Sequence, residues 1–256
     1  MIALKTQTPA YWQEKFEVTA EDIEHLHQLI FDAGAPVPTS KLVEALIVNR
    51  CNRELESVRG ELDKGRLYQP KDSYAIGEHV VFPALNFALG TVVSHRSGYD
   101  PAHGDFTVVG VTFEESGETR EFASELAAPH ALNRDDGDDG LGFLKELVSP
   151  EELVERYGEL VEQKLRNLLS DSEAWGFVEY QSHWLVKEMM AEVHVGHLNI
   201  AEAAIEVAGK PMTPAELLKD MELPSEIEPA IQEFSLNAAI SRDERFDDVG
   251  WEGHVA

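Results

Sequence analysis

Two stretches of this chain are punctuated in the same way. Ala33-Gly34-Ala35-Pro36-Val37-Pro38-Thr39 and Ala208-Gly209-Lys210-Pro211-Met212-Thr213-Pro214 each follow a helical apolar pattern. In both, a glycine stops the helix, a proline turns the chain, and a threonine stands ready to cap the next helix. Two copies are too few for a solenoid, which needs about three repeats to bury a continuous core. The chain of 256 residues therefore reads as several modules, two of them built alike.

The first copy opens with a helix over 19–33. Thr19 caps it, Glu21 and Asp22 suit its first turn, and Ile23, Leu26, Leu29 and Ile30 share a face. Thr39 or Ser40 caps a second helix carrying Leu42, Val43, Leu46 and Ile47. A third is expected from about Asn49 to Lys64, with Gly65 as its stop. Arg66-Leu67-Tyr68 and Tyr74-Ala75-Ile76 then read as a hairpin. Three short helices and a hairpin are the winged-helix order, which assigns residues 1–75 to a winged helix. Residues 76–126 change character: Val80-Val81-Phe82, Gly90 to Val93, Phe106 to Phe113 and Arg120-Glu121-Phe122 are short β-rich runs divided by glycines. That spacing predicts a small SH3-like β-barrel.

Residues 127–149 form an acidic linker, and 150–197 a helical connector with a β-hairpin around Gln181-Ser182. Residues 198–256 repeat the first pattern. The expected fold class is α+β, with two winged-helix domains linked by a small β-barrel and a helical connector. The chain stops at Gly250 to Ala256, where a strand begins, so the second copy reads as truncated at a boundary.

The second copy resembles a known family. Ile200-Ala201 early in its first helix, Gly209-Lys210-Pro211-Met212, Glu216-Leu217-Leu218, and Phe234-Ser235-Leu236-Asn237 through Asp243-Glu244-Arg245-Phe246 are similar to the HARE-HTH winged helix. That domain occurs at the N-terminus of the bacterial RNA polymerase delta subunit. The resemblance covers about a fifth of the chain, and it implies a transcription-associated interaction module with RNA polymerase as an expected protein partner. More weakly, Ile76-Gly77-Glu78-His79-Val80-Val81-Phe82-Pro83 is similar to the start of small barrels in transcription-associated proteins.

Charge decides which partners each part can meet. Lys plus Arg is 21 and Asp plus Glu is 48, a net of −27. Such a chain is repelled by a polyanion unless a local basic patch intervenes. Residues 1–75 hold 9 basic and 12 acidic side chains, whereas 134–256 hold 10 and 28. DNA contact is therefore expected only in the first winged helix. Arg50, Arg53 and Arg59 lie on its third helix, Lys64 and Arg66 follow, and Lys71 sits in the wing; Asn49 and Asn52 could read base edges. Interleaved Glu54, Glu56, Glu61 and Asp63 give the competing reading, a solvated mixed-charge helix. Glu226, Glu228 and Glu233 make the second copy a poor DNA reader.

Other motifs weigh less. His194-Val195-Gly196-His197 could suggest a metal, but Gly196 is expected to break the helix and no H-E-x-x-H is present. Asp135, Asp139, Gly140 and Glu146 partly match a calcium loop, although Gly137 and Gly142 break the pattern. Cys51 is the only cysteine, which excludes an intramolecular disulfide and suits a structural thiol. There is no P-loop, G-x-S-x-G or G-x-G-x-x-G, no signal peptide in the first residues, and no apolar run near 20 residues. The chain is thus expected to be a cytoplasmic, non-enzymatic adaptor needing no cofactor. The alternative is an accessory or specificity module of a nucleic-acid-processing or defence system whose catalytic part lies elsewhere.

Overall fold

A computed structural model of the chain describes residues 4–133, 147–169 and 172–249. In chain order its elements are α1 (Ala20–Ala33), β1 (Val37–Pro38), α2 (Thr39–Leu62), β2 (Arg66–Leu67), β3 (His79–Phe82), β4 (Ala88–Asp100), β5 (Gly104–Phe113), β6 (Thr119–Ser124), α3 (Pro150–Leu169), α4 (Ser172–Trp175), β7 (Phe177–Tyr180), β8 (His183–Val186), α5 (Val195–Ala208), α6 (Pro214–Leu217) and α7 (Pro229–Ile240). The protein is mixed α+β and divides into two compact units. Met1–Glu14 with Asn49–Pro150 form a sheet unit; Lys15–Val48 with Glu151–Ala256 form a repeat unit.

The sheet unit carries the order β2-β3-β4-β5-β6. The pairings are antiparallel except β2 with β3, which is parallel. Alternation along β3 explains two cores. Val80 and Phe82 enter a cluster with Tyr68, Tyr74, Val92, Val109, Val111 and Phe113. Val81 points the other way, to Leu4, Val58 and Phe87. The sheet is open, with β2 and β6 as its edges. Past β6, however, Glu125 and Leu126 donate their amides to the carbonyls of Asp72 and Pro70 in the loop after β2.

Two expectations for the first copy fail here. The break between its second and third helices is absent, because α2 runs unbroken from Thr39 to Leu62. No Gly or Pro interrupts residues 39–59, so nothing local ends the helix. The hairpin at 66–76 does not form either: Arg66 and Leu67 pair in parallel with Val80 and Val81. The run at Gly90–Val93 is also longer than expected. It belongs to the 13-residue β4, whose pairing with β5 shifts register between Val92 and Ser94.

In the repeat unit the strands β1-β8-β7 form a three-stranded antiparallel sheet, Val37 opposite Trp184 and Trp184 opposite Glu179. The hairpin expected within the connector at 150–197 thus shares a sheet with β1 of the first copy. The unit begins α1, β1, the first turns of α2, then α3, α4, β7 and β8. The second layout follows: α5, a single bridging residue at Met212, α6 and α7.

The first helices of the two layouts match in detail. α1 and α5 are each 14 residues long and end on a left-handed glycine, Gly34 at φ 60° and Gly209 at φ 61°. Both begin with a reciprocal cap. Thr19 and the N3 residue Asp22 bond each other's backbone amides, and His194 and His197 do the same for α5. Aligning Gly34 with Gly209 superposes these caps, and it sets Val37 of β1 on Met212.

Candidate functional site

The expected nucleic-acid residues all fall in the sheet unit, on the C-terminal part of α2 and just after it. A helix has 3.6 residues per turn, so positions 50, 53, 57, 61 and 64 share one stripe while 52 and 59 lie opposite. Arg50, Arg53 and Lys64 line a groove of about 1280 Å³; Asn49, Asn52, Arg59, Arg66 and Lys71 do not. Asn52 and Arg59 are exposed elsewhere on the helix. Arg66 is held by Asp72 at 2.9 Å and by the Ser73 carbonyl at 3.0 Å, beside the Tyr74 ring. The Lys71 amide donates to Asn133 Oδ1. The structure therefore splits the set that the sequence grouped.

Two further cations reach the groove from distant sequence, Lys5 from the first turn and Arg120 from β6. No helical periodicity could have joined them to α2. Carboxylates face them. Glu54, Glu61, Glu114 and Glu115 line the same groove, over an apolar floor that includes Leu4, Val58 and Phe87. Lys64 is bound to Glu61 at 2.6 Å, and Arg120 to Glu118 at 2.7 Å. Pairing with each other holds the Arg120 guanidinium above its usual range and the Glu118 carboxyl below its own. Glu54 accepts from the amides of Lys5 and Thr6 and from Thr6 Oγ1 at 2.6–2.9 Å, so it anchors the first turn. A phosphate entering this groove meets the carboxylates of Glu54, Glu61, Glu114 and Glu115 among its five cations, a poor counterion-release site.

The other candidates resolve into structural roles. The His194 and His197 rings stack at 3.8 Å, and their Nδ1 atoms accept from the Gly196 and His194 amides. Gly196 does not break the helix; it lies in the first turn of α5. Among the described residues no group of three or more His, Cys, Asp or Glu side chains is arranged to hold a metal. The partial calcium motif lies outside the described residues. Cys51 is buried, and burial pushes its thiol up, opposed in part by a hydrogen bond with Thr6. Trp12 is fully buried and donates to the Thr6 carbonyl at 2.7 Å, so it anchors the sheet unit from within.

The segment that carried the family resemblance also has a mechanical role. Arg245 makes a two-point pair with Asp243 and reaches Asn199 and Glu202 on α5. Phe246 packs against the core of Ala201, Leu217, Leu236 and Ile240. The Asp-x-Arg-Phe run therefore ties the chain after α7 back to α5.

No family model, curated protein or solved structure matches this chain. No helix among the described residues is long and apolar enough to cross a membrane.

Proposed function

We propose that this chain is a non-enzymatic, transcription-associated adaptor whose acidic repeat unit binds a protein partner. In this reading the two helix–strand–helix–helix layouts are two winged helices, and the sheet unit is a barrel-like insertion between the second and third helices of the first. Support comes from the β1-β8-β7 order, in which a strand between helices one and two pairs with the last strand of a hairpin. The likeness of the second copy to the HARE-HTH domain supplies the link to transcription.

One observation carries the choice of a protein over DNA. A winged helix reads DNA with its third helix in the major groove, flanked by phosphates. In this arrangement α3 carries Glu151, Glu152, Glu155, Glu159 and Glu162 against Arg156, Lys164 and Arg166. All three cations are engaged: Arg156 with Glu152, Lys164 with the Phe16 carbonyl, and Arg166 with Glu162, Thr39 and Ser182. The hairpin residues 177–186 include Glu179 and no Lys or Arg, and α7 has Glu233 and no basic residue. Carboxylates set against phosphates cost binding energy. The repeat unit holds 10 basic and 29 acidic side chains, a net of −19, which suits a basic protein surface.

The test is affinity capture from native lysate with mass spectrometry, followed by binding to the purified protein recovered. RNA polymerase subunits recovered with the wild-type chain, and lost on Glu226→Lys/Glu228→Lys/Glu233→Lys, are the expected result. Recovery of a nuclease in their place favours the accessory-module alternative. Recovery of neither removes the transcription reading.

A further inference from the structure

The internal repeat supplies its own control for what a surface helix in this layout needs. With Gly34 aligned to Gly209, the inward positions of α1 and α5 agree: Ile23 with Leu198, Leu26 with Ala201, Leu29 with Ala204, and Ile30 with Ile205. All four are apolar in both copies, as core contacts demand. The outward stripe differs. In α1 it reads Glu21, His25, Gln28 and Asp32, and Gln28 donates to Asp32 at 2.7 Å along that face. In α5 the same positions are Gly196, Ile200, Ala203 and Val207. Ile200 is 40% and Val207 89% exposed, and Ala203 is exposed as well. An exposed apolar stripe with a polar flank on a surface helix marks a face that a partner covers. The first copy shows that this layout does not require it.

We infer that the outward stripe of α5 is a docking surface for an amphipathic helix of a basic partner protein. The partner presents apolar side chains at i, i+3 or i+4 and i+7, flanked by Lys or Arg. The flank of the stripe fixes the charge. Asn199, Glu202 and Glu206 run beside it, Glu206 is exposed, and the repeat unit is at −19. A second copy of this chain would set Glu206 against another acidic flank, with −27 on each side, so self-association on this stripe is opposed. This inference rests on the protein-partner reading above and names its surface.

The test uses the full chain and a fluorescent peptide of about 18 residues, five turns of helix, with a leucine stripe on a lysine background. A scrambled peptide of equal composition and a glutamate-for-lysine version serve as controls. Binding is read by anisotropy at low and at physiological salt, with hydrogen exchange locating the site. Ile200→His/Ala203→Gln/Val207→Asp installs the residues of the first copy and should lower affinity by about tenfold or more, with an unchanged melting temperature. Exchange protection should concentrate on α5. Equal binding of striped and scrambled peptides overturns the inference, since charge alone would then suffice. So does unchanged affinity in the triple variant, or a wild-type dimer in light scattering that the variant makes monomeric. If lysate capture yields no polymerase while the striped peptide still protects α5, the transcription reading fails and this surface stands.

Discussion

Thr39 shows how much one hydroxyl organises in this protein. It is buried at the start of α2, where Oγ1 donates to the Ser182 carbonyl at 2.9 Å. It accepts from Trp184 Nε1 at 2.9 Å and from Arg166 at 3.0 Å. A buried donor left unpaired costs about 1–3 kcal/mol. Thr39→Val is therefore expected to destabilise the repeat unit by about 2 kcal/mol, measurable as a lower urea midpoint. Tyr68 and Tyr74 make a residue-level prediction of another kind. Burial raises both phenols, Tyr74 to about 12, while their hydroxyls bond the Ala123 carbonyl and the Gln69 backbone. An unfolded tyrosine ionises near pH 10. The folded state thus holds protons that the unfolded state has lost, so stability is full below about pH 10 and falls as pH rises towards 12. Urea midpoints across that window should drop for the wild type. Tyr74→Phe should show a shallower drop from a lower starting value. Cys51, buried with a raised thiol, should react with a thiol reagent only after unfolding.

At the level of elements, α2 carries its cations on two faces, and this limits what they can do together. Arg50, Arg53 and Lys64 look into a groove that Glu54, Glu61, Glu114 and Glu115 share, while Arg59 lies opposite. The chain is expected to give no DNA mobility shift at about 0.15 M salt. Arg50→Glu/Arg53→Glu should weaken any shift at low salt more than Arg59→Glu does. A strong, salt-resistant shift would overturn the protein-partner reading. The elements most legible in the sequence were those with local stop and start signals. Thr19 and Gly34 bound α1, Gly209 ends α5, and the hairpin at 177–186 is readable from its alternation. What the sequence hid was non-local. Arg66-Leu67 looks like half of a hairpin until Val80-Val81 arrives to pair with it in parallel. The split of α2 came from counting three helices for a winged helix, although residues 49–51 contain no breaker. The next helix of the repeat unit is α3, which begins only at Pro150. His-Val-Gly-His misleads for a related reason, because histidine is an uncommon cap and only the match with Thr19-x-x-Asp22 exposes its role.

For the whole molecule, the −27 is distributed as −8 on the sheet unit and −19 on the repeat unit. Close-packed like charge destabilises a compact state, and salt screens it over about 8–10 Å. Melting temperature should therefore rise with added sodium chloride before it levels off, and a flat response would show that the charges are already locally neutralised. The discontinuity of the repeat unit has a further effect, on synthesis. Thr39 and Trp184 are 145 positions apart, and β1 has no partner until β8 exists. At about 5–20 residues per second a ribosome needs roughly 7–30 s to supply it. During that interval the sheet unit, whose strands follow one another closely, can complete itself. The apolar face of α1 and the bare edge of β1 must wait, exposed to whatever else is nearby. The nascent chain is thus most vulnerable to mispairing and chaperone capture at its beginning, long after that beginning has left the exit tunnel.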